Sequence, residues 1–239
     1  MSQIKEQNVA DSKTSSSGSL SRRRAITLGL GALAAAGGGI VYFGLSSQSI
    51  AQTAPMSPGA NAMQINTKTE NIIGDPNAPV TIVEYSSMTC PHCANHHMNT
   101  MPALTEKYIK TGKVRYVIRE FPLDRIALAA AALARCAGPE KYFPFVTAMY
   151  KQQETWAKGP GSPAPRLFKL AKQAGFTQET FNACMRNKDV SDYIEKMALT
   201  GRNNYGVNST PTLFVNGKKL EAGNSLTEIE KAMAPYLKG

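Results

Sequence analysis

The clearest pattern along the chain is a short, nearly continuous apolar run, Val80 to Tyr85, interrupted by Glu84 and approached through Asp75-Pro76-Asn77-Ala78-Pro79. A run of this length bounded by turn residues predicts a strand buried on both faces. Four polar or small residues follow, and a helical pattern then begins at Pro91 and runs to about Thr111. Gly112 marks its end and Pro102 a kink midway. Val114 to Phe121 predicts the next strand, so strand, helix and strand form a βαβ unit with parallel strands and a right-handed crossover. Pro122 closes that strand, and helical signals dominate the next eighty or so residues: 123–137, 141–153, 166–174, 177–186 and 189–205, broken by the Gly- and Pro-rich stretch 159–165. Strand character returns at Thr212 to Val215. Asn216-Gly217 predicts a hairpin into Lys218 to Leu220, and Ser225 with Glu228 forms a capping-box pattern that opens a last helix.

The front of the chain has a different character. Residues 1–19 are polar, rich in serine and without period, which reads as disorder. Arg22-Arg23-Arg24 precede an uncharged apolar run from Ala25 to Leu45, and Ser49-Ile50-Ala51 is a small-x-small site. These are the parts of an export signal over 1–51, and the arginines after a serine point to the twin-arginine route. A membrane anchor is the rival. Eleven of the 21 residues in the apolar run are Gly or Ala, which favours cleavage near Ala51 or Ala54. Residues 52–70 read as a linker.

The chain carries 27 lysines and arginines against 17 acids, a net charge of +10. Losing residues 1–51 would remove five basic and two acidic residues and leave +7. The basic residues are scattered and do not alternate with aromatics, so no nucleic-acid partner is expected. The excess reads as a solvated surface that favours anionic membranes or acidic unfolded clients. The aromatic set Tyr142, Phe143, Phe145, Trp156 and Phe168 reads as helix packing.

The chemistry concentrates in Cys90-Pro91-His92-Cys93. A sulfur at the first turn of a helix faces unpaired N–H groups and the positive end of the macrodipole, which favours thiolate. Spacing i, i+3 brings the two Cα atoms within disulfide reach, so the pair can switch between dithiol and disulfide. The same spacing serves zinc sites, and His96 and His97 keep a metal reading open, although a structural zinc site needs a further ligand pair. For His96 the preferred reading is a helix residue without a special role. With Cys90 and Cys93 paired by position, Cys136 and Cys184 are left for each other; four cysteines in an exported chain fit an oxidising compartment.

Taken together, Glu84, Cys90-Pro91-His92-Cys93, Arg119-Glu120-Phe121-Pro122 and the run from Gly206 through Thr210-Pro211 to Asn216-Gly217 resemble the thioredoxin superfamily, and within it the DsbA-like thiol-disulfide oxidoreductases. The resemblance covers about Asn71 to the C-terminus. It implies an α/β thioredoxin fold, a mixed sheet flanked by helices, formed by 71–122 and 206–239 and interrupted by an all-helical insertion at 123–205. It implies Cys90 as an exposed nucleophile, Cys93 as the shielded resolving thiol, His92 as a donor to the Cys90 thiolate and Pro91 as a brace for the turn. Glu84 would lie under the pair and exchange protons with Cys93 through water; the alternative is an outward-facing strand residue. Thr210-Pro211 would hold a cis bond facing the disulfide and offer backbone groups to an extended substrate. Cys136 and Cys184 would form a structural disulfide.

The function expected is disulfide formation in unfolded or reduced exported proteins in the periplasm. The protein would act as a monomer without a cofactor and be re-oxidised by a DsbB-like membrane partner. A disulfide isomerase or reductase is the nearest alternative, and Thr210 leaves the direction open; isomerases of this group carry a dimerisation domain, for which the linker is too short. A metal carrier using Cys90, Cys93 and His96 or His97 is the alternative of another class.

Overall fold

The computed structural model describes residues 63–237. The expected export signal, its cleavage site and the first part of the linker lie outside the described residues. Among the described residues no helix is long and apolar enough to cross a membrane.

Five strands form one mixed sheet in the order β1-β3-β2-β4-β5. Strand β2 (Val80–Ser86) is central and pairs in parallel with β3 (Val114–Glu120), as the βαβ pattern requires. On its other side β2 pairs antiparallel with β4 (Thr212–Val215), which turns through Asn216 and Gly217, both at positive φ, into the two-residue β5 (Lys218–Lys219). Positive φ at both central positions is what a two-residue hairpin turn demands, and Asn-Gly tolerates it best. Asn216 also accepts the Thr81 N–H at 2.7 Å, so the hairpin is tied to the start of the central strand.

The sequence pattern missed β1 (Asn71–Ile73), a three-residue edge strand antiparallel to β3. It also read residues 63–70 as linker, whereas the structure packs them. Met63 and Ile65 lie against the aromatic layer of Tyr85, Phe121 and Phe214, and Glu70 forms a buried ion pair with Arg119. The pairing spans 49 residues, and local pattern carries no trace of it.

The helix after the cysteines is one path with two wide turns. It begins as α1 (Pro91–Asn95), passes through a π turn at His96–Thr100, continues as α2 (Met101–Leu104) and widens again at Thr105–Ile109. Pro102 has no N–H for the Met98 carbonyl and its ring crowds that carbonyl, so the turn opens until the Met101 N–H reaches His96. The opened turn buries two consecutive side chains, His96 and His97.

Six helices separate β3 from β4: α3 (Arg125–Cys136), α4 (Pro139–Lys151), α5 (Gln153–Ala157), α6 (Ala164–Gln173), α7 (Gln178–Met185) and α8 (Lys188–Tyr205). Tyr142, Phe145 and Trp156 are buried among them, and Phe168 packs on Phe181. The last of the six also covers the sheet: Gly201 of α8 lies so close to Tyr85 that an added Cβ would sit 2.5 Å from the ring. Helix α9 (Leu226–Met233) is capped by Ser225, which accepts the Glu228 N–H.

Cys136 at the end of α3 is disulfide-bonded to Cys184 in α7, 48 residues away. Replacing both by alanine is expected to cost up to about 4 kcal/mol on the loop-entropy account, read as a lower denaturant midpoint at unchanged slope.

Candidate functional site

The cysteine motif stands where β2 ends and α1 begins. Cys90 is the N-cap of α1 and Pro91 its first helical residue, a place where a missing N–H costs nothing. Cys90 and Cys93 are both thiols here, and both are buried. Cys93 is wholly enclosed. Cys90, expected to be exposed, is 5% exposed, because two distant segments close over it. Gln153 of α5 donates from Nε2 to the Met88 and Cys90 carbonyls at 2.9 and 3.0 Å. The Thr210 carbonyl accepts from the Cys90 Sγ at 3.2 Å, from a loop whose Thr210–Pro211 bond is cis. Thr89 further donates to Asp124, the N-cap of α3, at 2.7 Å.

The Cys90 thiol is lowered to about 5. The largest cause is a hydrogen bond from the Cys93 thiol; burial opposes it, and the Thr210 hydroxyl and the backbone N–H groups of Cys93 and His92 add to the lowering. The Thr210 contacts pull in opposite directions: the carbonyl favours a thiol that donates to it, while the hydroxyl favours thiolate. That hydroxyl is buried without a hydrogen-bond partner among the described residues, so it is available to a thiolate. His92 reaches the sulfur by its backbone. At the second position of a helix the N–H points back towards the terminus and the side chain points outwards, and the imidazole is exposed. It lines a polar cleft of about 470 Å³ with Ser209, Thr210, Pro211, Glu221 and Asn224.

Cys93 behaves oppositely. Burial pushes its thiol far up, and the hydrogen bond to Cys90 and the negative charge of Glu84 push it further. Two adjacent sulfurs thus differ sharply: one is poised as thiolate, the other held as thiol.

Beneath Cys93 lies a closed polar network. Glu84 is fully buried on the β2 face that looks towards α1 and α4, not outward-facing. Its Oε1 accepts from Ser86 Oγ at 2.7 Å, and its Oε2 from Tyr116 Oη at 2.8 Å and lies 2.9 Å from His97 Nε2. Ser86 Oγ is also 2.8 Å from Tyr150 Oη, and His96 Nε2 is 3.0 Å from Tyr116 Oη. Burial alone would raise the Glu84 carboxyl; the charge and hydrogen bond of His97, with help from His96 and Ser86, outweigh it and hold the group at about 2. His96 is shifted down by burial.

Of the residues the sequence singled out, Glu84, Cys90, Cys93, Thr210 and Pro211 converge, with Pro91 and the His92 backbone beside them. Cys136 and Cys184 lie apart from the site in the helical region. Sequence reasoning missed Ser86, Tyr116, Tyr150 and Gln153. His97 carried a legible signal, since it stands four residues after Cys93 on the same helical face, near a strand carboxylate that needed a partner. Among the described residues no group of three or more His, Cys, Asp or Glu is placed to hold a metal ion, and the His97 Nε2 that a metal would need is occupied by Glu84.

The family model described as thioredoxin matches residues 66–234. A Rickettsia typhi relative, provisionally named a protein-disulfide oxidoreductase, is 34% identical over 164 residues, covering 68% of this chain and 60% of that protein. Disulfide bond formation protein D of Bacillus subtilis is 25% identical over 181 residues, 74% of this chain and 81% of that one. The chain spans 58% to 61% of the length of the matched Rickettsia proteins. Among solved structures, α-DsbA1 of Wolbachia pipientis superposes with a TM-score of 0.69 at 31% identity, covering 74% of this chain and 96% of that one.

Proposed function

We propose that this chain, which belongs to the thioredoxin family and is DsbA-like within it, forms disulfides in other proteins by dithiol-disulfide exchange through Cys90 and Cys93. The observation that carries this is the asymmetry of the pair: Cys90 is held near a pKa of about 5 at a helix N-terminus, facing the cis Thr210–Pro211 bond. A client thiolate attacks Cys90 of the oxidised pair, Cys93 departs with the bonding electrons, and a mixed disulfide forms. The client's second thiol then attacks its own sulfur in that bond and releases reduced enzyme. Cys90 departs readily because its thiolate is stabilised. The Thr210 backbone and the polar cleft beside His92 suit an extended client segment. The exposed Leu123 and Leu199, which share a shallow cleft by α3 and α8, give unfolded chains an apolar foothold.

In this reading the protein works in the periplasm after export by the signal at 1–51, its clients are reduced exported proteins, and a DsbB-like membrane protein re-oxidises it. Cys136–Cys184 serves as a structural staple.

The test supplies oxidised protein to a reduced, unfolded disulfide protein and counts free thiols. One disulfide per enzyme should move to the client. Cys90→Ser should abolish transfer, and Cys93→Ser should trap a mixed disulfide at Cys90. Rearrangement of a scrambled client without net loss of thiols would instead favour the isomerase or reductase reading.

A further inference from the structure

Cys93 is wholly buried beside an ionised carboxylate. When the disulfide opens it receives an electron pair in the same enclosed space, and two anions there are unfavourable unless one takes a proton. Water has no open approach to the sulfur. The chain itself offers a route. The Ser86 hydroxyl sits beside the Cys93 sulfur and donates to Glu84 Oε1, and Glu84 Oε2 is 2.9 Å from His97 Nε2.

Resting on the exchange reaction above, we propose that Ser86, Glu84 and His97 form a proton relay for Cys93, in which His97 stores the proton and acts through Glu84. As the Cys90–Cys93 bond breaks and the electron pair goes to Cys93, the Ser86 hydroxyl gives its proton to that thiolate. The Glu84 carboxyl replaces the serine's proton, and the His97 imidazolium replaces the carboxyl's. The step consumes one proton and leaves neutral imidazole, carboxylate, hydroxyl and thiol. Re-oxidation runs it backwards: Cys93 attacks the mixed disulfide, and its proton returns through Ser86 and Glu84 to His97.

The assignment of storage to His97 follows from what surrounds it. Glu84 is held too acidic to keep a proton of its own at neutral pH. Tyr116, Tyr142 and Tyr150, the other groups that face the pair from β3 and α4, are shifted well above the ordinary phenol range by burial and do not ionise there. His96 points to Tyr116 and to the Asn224 carbonyl. His97 is left as the basic group in direct contact with Glu84, and its ring is fixed by stacking on Tyr150 with centroids 4.5 Å apart. A carboxylate can only accept, so the hydrogen between the two residues sits on His97 Nε2 while Glu84 is ionised. The pair titrates as a unit.

The experiment measures mixed-disulfide formation between the oxidised protein and glutathione by rapid acid quench from pH 5 to 9, with rates expressed per glutathione thiolate. The wild-type rate should fall as pH rises and the stored proton is lost. His97→Gln, which keeps a hydrogen-bond donor for Glu84, should react roughly 100-fold more slowly with a flat profile, the lower end of what general acid catalysis supplies. Ser86→Ala should be comparably slow while the His97 imidazole still titrates by NMR; it decides the matter alone should His97→Gln fail to fold. Variants with the wild-type rate and profile would overturn the relay. A wild-type protein that exchanges with no thiol would overturn the exchange reaction instead, so the two failures are distinct.

Discussion

Titrated against glutathione, the Cys90–Cys93 pair is expected to equilibrate nearer the roughly −120 mV of the strongest dithiol oxidants than the roughly −270 mV of thioredoxin. The reason is specific to the reduced form. Its Cys90 titrates at about 5, and ultraviolet thiolate absorbance should show a single sulfur ionising there while Cys93 stays protonated. In an unfolded chain the same thiol ionises near about 8.5. A folded-state value below the unfolded one gives stability that is present above the unfolded value and is lost as pH falls through the folded one. The reduced protein should therefore gain stability on going from pH 5 towards 8.5, while the oxidised protein, with no Cys90 thiol, gains none from this source. The gap between their melting temperatures, reduced above oxidised at pH 7, should close as the pH is lowered through 5. Equal melting temperatures at neutral pH, with a near-neutral Cys90, would move the reading to a reductase or isomerase.

Arg119→Ala should be among the most destabilising single changes away from the cysteines. Arg119 donates from Nε and Nη2 to the two Glu70 oxygens at 2.7 and 3.0 Å, from Nη1 to Tyr85 Oη at 3.0 Å and from Nη2 to the Gln64 carbonyl at 2.9 Å. Both charged side chains are nearly sealed from solvent. Removing the guanidinium strands a buried carboxylate, a loss of about 3 to 5 kcal/mol, or roughly 10 °C in melting temperature for a domain of this size. Arg119→Lys should recover little, since an ammonium cannot reproduce the two-pronged contact. Replacing Glu70 and Arg119 together by leucine and methionine should recover much of the loss, because no unpaired charge remains. A single mutant as stable as the parent would mean that residues 63–70 are not held on the sheet in solution.

What the sequence made legible follows the range of the interactions involved. The central strand, the cysteine turn, the Asn216-Gly217 hairpin and the Ser225 cap are local, each specified within a few residues, and the structure has them where the pattern put them. The thioredoxin-type sheet was legible because βαβ and hairpin signals came in a recognisable order. Three-residue β1 has too few positions to show a period, and Glu70 looks like a linker residue until Arg119 arrives 49 residues later. The exposure expected of Cys90 failed for the same reason: the groups that cover it, Gln153 and Thr210, come 63 and 120 residues after it. Glu84 was conspicuous as a charge in an apolar strand. Its partners Ser86, Tyr116, His97 and Tyr150 come from four separate elements that only the packed sheet brings together.

The grip of Gln153 and Thr210 on the cysteine turn bears on the order of events while the chain is being made. Synthesis proceeds from the amino end, so the two cysteines emerge well before the glutamine that fixes their turn and the threonine that faces the sulfur. Until those residues arrive and dock, Cys90 lacks much of what makes it acidic and behaves more like an ordinary thiol. Reactivity is thereby withheld from the nascent chain, and a truncated or half-folded product carries the motif without the chemistry.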